Sequence, residues 1–99
     1  MLIASEFRLL ARAAQQSLPS WSRFVAQTEF VWQNPALVLD PAAWQKLWFE
    51  MEIVNALALA EWEEEGCPQD WSHRWRERYE QDVRGLVSEL TLLIAAETN

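Results

Sequence analysis

The chain is predicted to be all-α: an antiparallel four-helix bundle dominated by a long hairpin of its third and fourth helices, in one domain spanning residues 1–99. Three observations carry this. Apolar residues recur at i, i+3, i+4 along four segments, the repeat of a helix with one buried face. Two glycines and four prolines are too few for a turn-rich β architecture. The breakers that do occur, Leu18-Pro19, Asn34-Pro35 and Gly66-Cys67-Pro68, fall between the periodic segments.

The first helix is expected to run from Ser5, a good N-cap residue, to about Ser17, with Phe7, Leu10, Ala11 and Ala14 on one face. Leu18-Pro19 ends it. Ser20 is then expected to cap a second helix reaching about Gln33, whose buried face is Trp21, Phe24, Val25, Thr28, Val31 and Trp32. Phe30 lies on the other side, an unusual place for an aromatic ring on a solvated helix. Asn34-Pro35 stops this helix, because a residue before proline avoids the α region. Ala36-Leu37-Val38-Leu39 reads as a short apolar connector, extended and packed down. Asp40-Pro41 opens the third helix as an N-cap followed by proline at the first helical position.

The third helix is expected to reach about Glu65 and to carry two apolar faces. One holds Trp44, Leu47, Trp48, Met51, Val54, Asn55, Ala58 and Trp62; the other holds Phe49, Ile53, Ala56, Leu57 and Ala60. A helix apolar on two sides sits between two layers or between two chains. Phe49, Ile53, Leu57 and Ala60, with Phe30, are therefore the expected homodimer interface. Asn55, set among tryptophans, is expected either to bond a local backbone group or to fix register or oligomeric state. Gly66-Cys67-Pro68 stops the helix. The fourth helix is expected to run from about Gln69 to Ala96, with Trp71, Trp75, Tyr79, Val83, Leu86, Val87, Leu90, Leu93 and Ile94 in one stripe and His73, Arg74, Glu77, Gln81 and Arg84 opposite.

Seven tryptophans are many for a chain of 99 residues. A buried indole N–H needs an acceptor, so seven of them imply an extensive aromatic core, an adhesive surface, or both. The net charge of -7 is uneven: residues 1–40 balance, whereas residues 41–66 hold Lys46 against six glutamates. Such a chain repels phosphate backbones, and direct nucleic-acid binding is not expected. A single cysteine, Cys67, excludes an internal disulfide and fits a reducing, cytoplasmic setting. No apolar run approaches the length of a membrane span.

No catalytic signature is present, and no enzyme activity is expected. Asp70, His73 and Glu77 share one helical face, but one histidine without a second ligand-bearing motif is too little for a metal centre. Neither metal nor cofactor is expected. Cys67 has no orienting His–acid pair, and no glycine-rich phosphate loop occurs. The remaining irregularity lies at the end of the third helix, where Glu61, Glu63, Glu64 and Glu65 oppose the helix dipole. They flank Trp62, and Trp71 lies just beyond the turn. An aromatic anchor ringed by charge resembles an interaction hot spot. The expected partner surface is thus Glu61, Trp62, Glu63, Glu64, Glu65 and Trp71. The competing account is internal neutralisation by Arg74, Arg76 and Arg78. The expected function is a non-catalytic protein–protein interaction module, an accessory, adaptor or inhibitory protein whose partner has a basic surface. The alternative is a helical binding protein for an apolar or aromatic small molecule.

Overall fold

The computed structural model describes residues 3–94 and is all-helical. Five α-helices, α1 (Ala4–Ala14), α2 (Leu18–Gln27), α3 (Pro41–Glu64), α4 (Ser72–Arg78) and α5 (Glu80–Leu92), are joined by short segments, one of which holds a 3-10 turn at Val31–Gln33. The molecule is elongated, 45 × 25 × 22 Å. Its length is set by the 24 residues of α3, about 36 Å at 1.5 Å per residue. No helix among the described residues is long and apolar enough to cross a membrane.

The expectation of four helices with one long final helix is corrected to five. Residues 69–71 are not helical, and the helix that follows is divided at Tyr79 (φ −125°, ψ −28°). The division is a bend rather than a loop: Tyr79 N–H still reaches Trp75 O, and Val83 N–H reaches Tyr79 O. Tyr79 is anchored there by its hydroxyl, which donates to Glu61, and by ring contacts with Trp71 and Trp75. No proline or glycine marks the place. Ala95 and Ala96, in the expected end of that helix, lie outside the described residues.

Three other boundaries shift for local reasons. Ser5 does not cap α1; it lies in the first turn, after Ile3. The cap of α2 is Ser17, not Ser20: its Oγ accepts from Ser20 N–H at 3.3 Å. Leu18-Pro19 therefore begins a helix instead of ending one, since the first turn has no use for the N–H that proline lacks. The end of α2 is Gln27 rather than Gln33. The buried Thr28 turns its hydroxyl back onto Phe24 O at 2.8 Å, a side-chain bond that competes with helix continuation. Asp40 behaves as expected, accepting from Ala43 N–H at 3.1 Å, with Pro41 in the first turn.

The connector also packs as expected. Leu37 and Val38 are buried, and Val38 forms an isolated antiparallel bridge with Ile94. Leu39 N–H donates to Leu93 O at 3.0 Å. These bonds bring the end of α5 back to the start of α3.

The core is an unbroken chain of rings. Trp44 lies against Phe7, Phe7 against Phe24, Phe24 against Trp21, Trp21 against Trp75, and Trp75 against Tyr79, with centroids 5.4 to 6.5 Å apart. Tyr79 continues the chain to Trp71. Five indole N–H groups act as cross-braces. Trp21 donates to Met51 O, Trp48 to Val25 O, Trp62 to Pro68 O, Trp71 to Glu65 Oε1 and Trp75 to Gln15 O. The buried Nε1 of Trp44 has no acceptor among the described residues. Most of the tryptophan content is therefore core.

Candidate functional site

The turn after α3 builds the site. Gly66 (φ +89°) and Cys67 (φ 55°) both occupy the left-handed region. Gly66 N–H reaches Glu63 O, and Cys67 N–H reaches Trp62 O, each at 3.0 Å. This paired closure satisfies the last carbonyls of the helix, and glycine adopts it without a Cβ penalty. The chain then reverses past Pro68 and sets Trp71 beside the end of α3. Asp70 accepts from the N–H and hydroxyl of Ser72. Those two bonds, with a smaller contribution from Arg76, hold its carboxyl below the usual carboxylate range.

Between this turn and the start of α2 lies a pocket of about 500 Å³. Leu18 and Pro19 line it from α2, Leu59 and Trp62 from α3, and Pro68 and Trp71 from the turn; Ser17, Ser22, Cys67, Gln69, Asp70 and Ser72 complete the lining. The indole N–H groups of Trp62 and Trp71 are both occupied internally, so these side chains offer the pocket carbon surface. A second, more polar pocket of about 440 Å³ adjoins the first across Pro68, Asp70 and Trp71, and is lined also by Glu65, His73, Arg74 and Glu77.

The structure divides the six residues expected at the partner surface. Trp62 and Trp71 come together in the apolar pocket, and Glu65 lines the adjoining one. Two of the four glutamates are held internally. Glu61 pairs with Arg78 at 3.0 Å and accepts from Tyr79, while Glu65 pairs with Arg74 at 3.4 Å and accepts from Trp71. Arg76 joins no ion pair among the described residues. Glu63 and Glu64 are exposed. Two positions along a helix turn a side chain by about 200°, so Glu64 points away from Trp62 and outside the pocket. Among the described residues Asn55 bonds no local backbone group; Ser22 donates to its Oδ1 and ties α2 to α3.

Of the expected dimer residues, Phe49, Ile53, Leu57 and Ala60 lie exposed along the outer side of α3. Phe30 is exposed on the turn after α2, a different element. Among the described residues, no three His, Cys, Asp or Glu side chains gather as metal ligands. His73 pairs with Glu77 at 3.5 Å and is largely exposed. The α2 wall of the pocket was not foreseen: Leu18 and Pro19 read as a helix terminator, Ser22 carried no reading, and only tertiary packing places them opposite Trp62.

Tyr79, the only tyrosine, reports on this region. Burial, and then its bond to the Glu61 carboxylate, push its phenol up to about 12 from an ordinary value near 10. A folded-state value above the unfolded one means that this stabilisation is complete below about pH 10 and is lost as pH rises toward 12. The near-ultraviolet phenolate signal is expected to titrate at about 12 in the native protein and near 10 in denaturant, with Glu61→Gln lowering the native value. A native titration near 10 would remove Tyr79 from the carboxylate. Comparison with protein-family models, curated proteins and solved structures finds no match.

Proposed function

We propose that the chain is a non-catalytic protein-interaction module that accepts a large apolar side chain of a partner in the Trp62–Trp71 pocket. The observation that carries this reading is the pocket itself: tryptophan carbon surface, Leu18, Pro19 and Leu59 form its walls, and its wall residue Asp70 borders the acidic neighbouring pocket. Apolar anchors seated in aromatic pockets dominate the energetics of protein interfaces, and a surrounding charged rim supplies specificity and association rate. In the adjoining pocket Arg74 offsets Glu65, which leaves Asp70 and Glu77 as its further carboxylates, so the favoured segment is an apolar residue flanked by lysine or arginine. Among the described residues, no three His, Cys, Asp or Glu side chains gather as metal ligands beside the pocket. Accessory, adaptor or inhibitory roles all use such a surface.

A small apolar or aromatic molecule is the second reading, supported by the pocket's volume of about 500 Å³, within the range that such ligands fill. Selection of a random peptide display library on the immobilised protein tests the first. The expected enrichment is an aromatic or long aliphatic residue flanked by basic ones, lost on Leu59→Arg and weakened by salt. Glu77→Gln, which changes one exposed side chain of the adjoining pocket, is expected to keep the fold and weaken binding. Equal enrichment on wild type and Leu59→Arg would withdraw the pocket as a docking site. Peptide enrichment absent, with an apolar dye binding wild type and not Leu59→Arg, would favour the small molecule.

A further inference from the structure

The outer side of α3 forms a second surface, independent of the pocket. Phe49, Ile53, Ala56, Leu57 and Ala60 are all exposed, with Phe49 at 59%, Ile53 at 44% and Leu57 at 58%. At 100° per residue they share a sector about 100° wide. No other described element packs over Phe49 or Leu57, and at Ile53 the stripe borders a groove lined also by Gln81, Asp82, Gly85 and Leu86 of α5. A stripe of this kind on a surface helix marks an interaction face.

The two ends of the stripe carry opposite charge. Lys46, the only lysine of the chain, lies on the same sector at its N-terminal end, and Glu64 at its C-terminal end, both exposed. Their separation of 18 positions is five helical turns, so they point in the same direction. Neither joins an ion pair among the described residues. This pattern is complementary to itself on reversal. A two-fold axis through the middle of the stripe, near residue 55, places Lys46 beside the second copy's Glu64, twice. The same axis sets Phe49 against Ala60 and Ile53 against Leu57, so apolar side chains meet apolar ones. A parallel pairing would instead set lysine on lysine and glutamate on glutamate. On one flank Glu50 approaches the second copy's Glu61, whose charge is already offset by Arg78. Such isologous contacts are the commonest form of homo-oligomer.

We infer that α3 binds α3 of a second copy of this chain, antiparallel about a two-fold axis near residue 55, through this stripe and a reciprocal Lys46–Glu64 pair. The face is already exposed in the single chain, so substitutions on it leave the fold in place and the test reads association alone. Sedimentation equilibrium on the full chain at about 100 μM, well above a micromolar dissociation constant, is expected to show a dimer. Ile53→Glu is expected to give a folded monomer with an unchanged helical spectrum. Lys46→Glu and Glu64→Lys each turn two attractions into two repulsions, and each is expected to weaken the dimer about tenfold. The double variant Lys46→Glu/Glu64→Lys is expected to restore it, since the exchanged charges meet again in the antiparallel arrangement and in no parallel one. A wild-type monomer, or a dimer that Ile53→Glu leaves intact, overturns the interface. A dimer lost in Ile53→Glu but not restored in the double charge exchange overturns the antiparallel arrangement.

Discussion

Trp75→Ala is expected to remove a large share of the stability of the fold. Trp75 is fully buried, and its ring lies between Trp21 and Tyr79, so it is an interior link of the aromatic chain rather than an end. Truncating a buried tryptophan costs about 3–5 kcal/mol in lost contacts and cavity. The lost N–H also leaves Gln15 O without its donor, at about 1 kcal/mol or more. A domain of this size is stable by roughly 5–15 kcal/mol, so one substitution removes a large share. Denaturant titration followed by circular dichroism measures it. Trp75→Phe separates the two contributions by keeping a ring and deleting the donor. Trp44→Phe deletes an N–H that has no acceptor among the described residues, and is expected to cost less than Trp75→Phe. Equal losses at both positions would mean that the indole bonds do not hold the helices together.

The second large effect is expected at Val38. It is 2% exposed and bridges Ile94, whereas Leu39 beside it is 65% exposed. Val38→Asp places an unpaired carboxylate in the core, and a loss of several kcal/mol is expected. Leu39→Asp is expected to lie within about 0.5 kcal/mol of wild type, because it changes a solvated side chain and keeps the backbone bond to Leu93. Thermal melts of the two neighbours decide the matter. Similar melting temperatures would show that the connector does not pack against α5.

How legible the structure was depends on which signals are local. Asp40-Pro41 and Gly66 mark α3 correctly because capping depends on the residues themselves. Leu18-Pro19 was ambiguous for the same reason: proline suits both the exit from one helix and the first turn of the next, and only the choice of Ser17 over Ser20 as cap resolves it. The bend at Tyr79 left no trace, since its anchors, Glu61 and Trp71, come from the preceding helix and turn. For the candidate site, the outward-facing stripe on α3 followed from periodicity alone. The glutamate cluster did not resolve by composition, because Glu61 and Glu65 face arginines while Glu63 and Glu64 do not, and that division depends on how α4 is placed. Leu18 and Ser22 entered the pocket through packing that no local pattern encodes.

The bond from Trp75 to Gln15 joins positions 60 residues apart, and this orders the events of synthesis. The ribosome extends the chain from its N-terminus, so α1 emerges long before α4 exists. In that interval the C-terminal end of α1 has a backbone carbonyl without its final donor, and Trp21 lacks the ring that later lies against it. Closing a loop of this length carries a substantial entropic cost, and contacts so distant in sequence slow the search for the native state. The first helices therefore wait as a loosely held unit until the last quarter of the chain arrives to lock them.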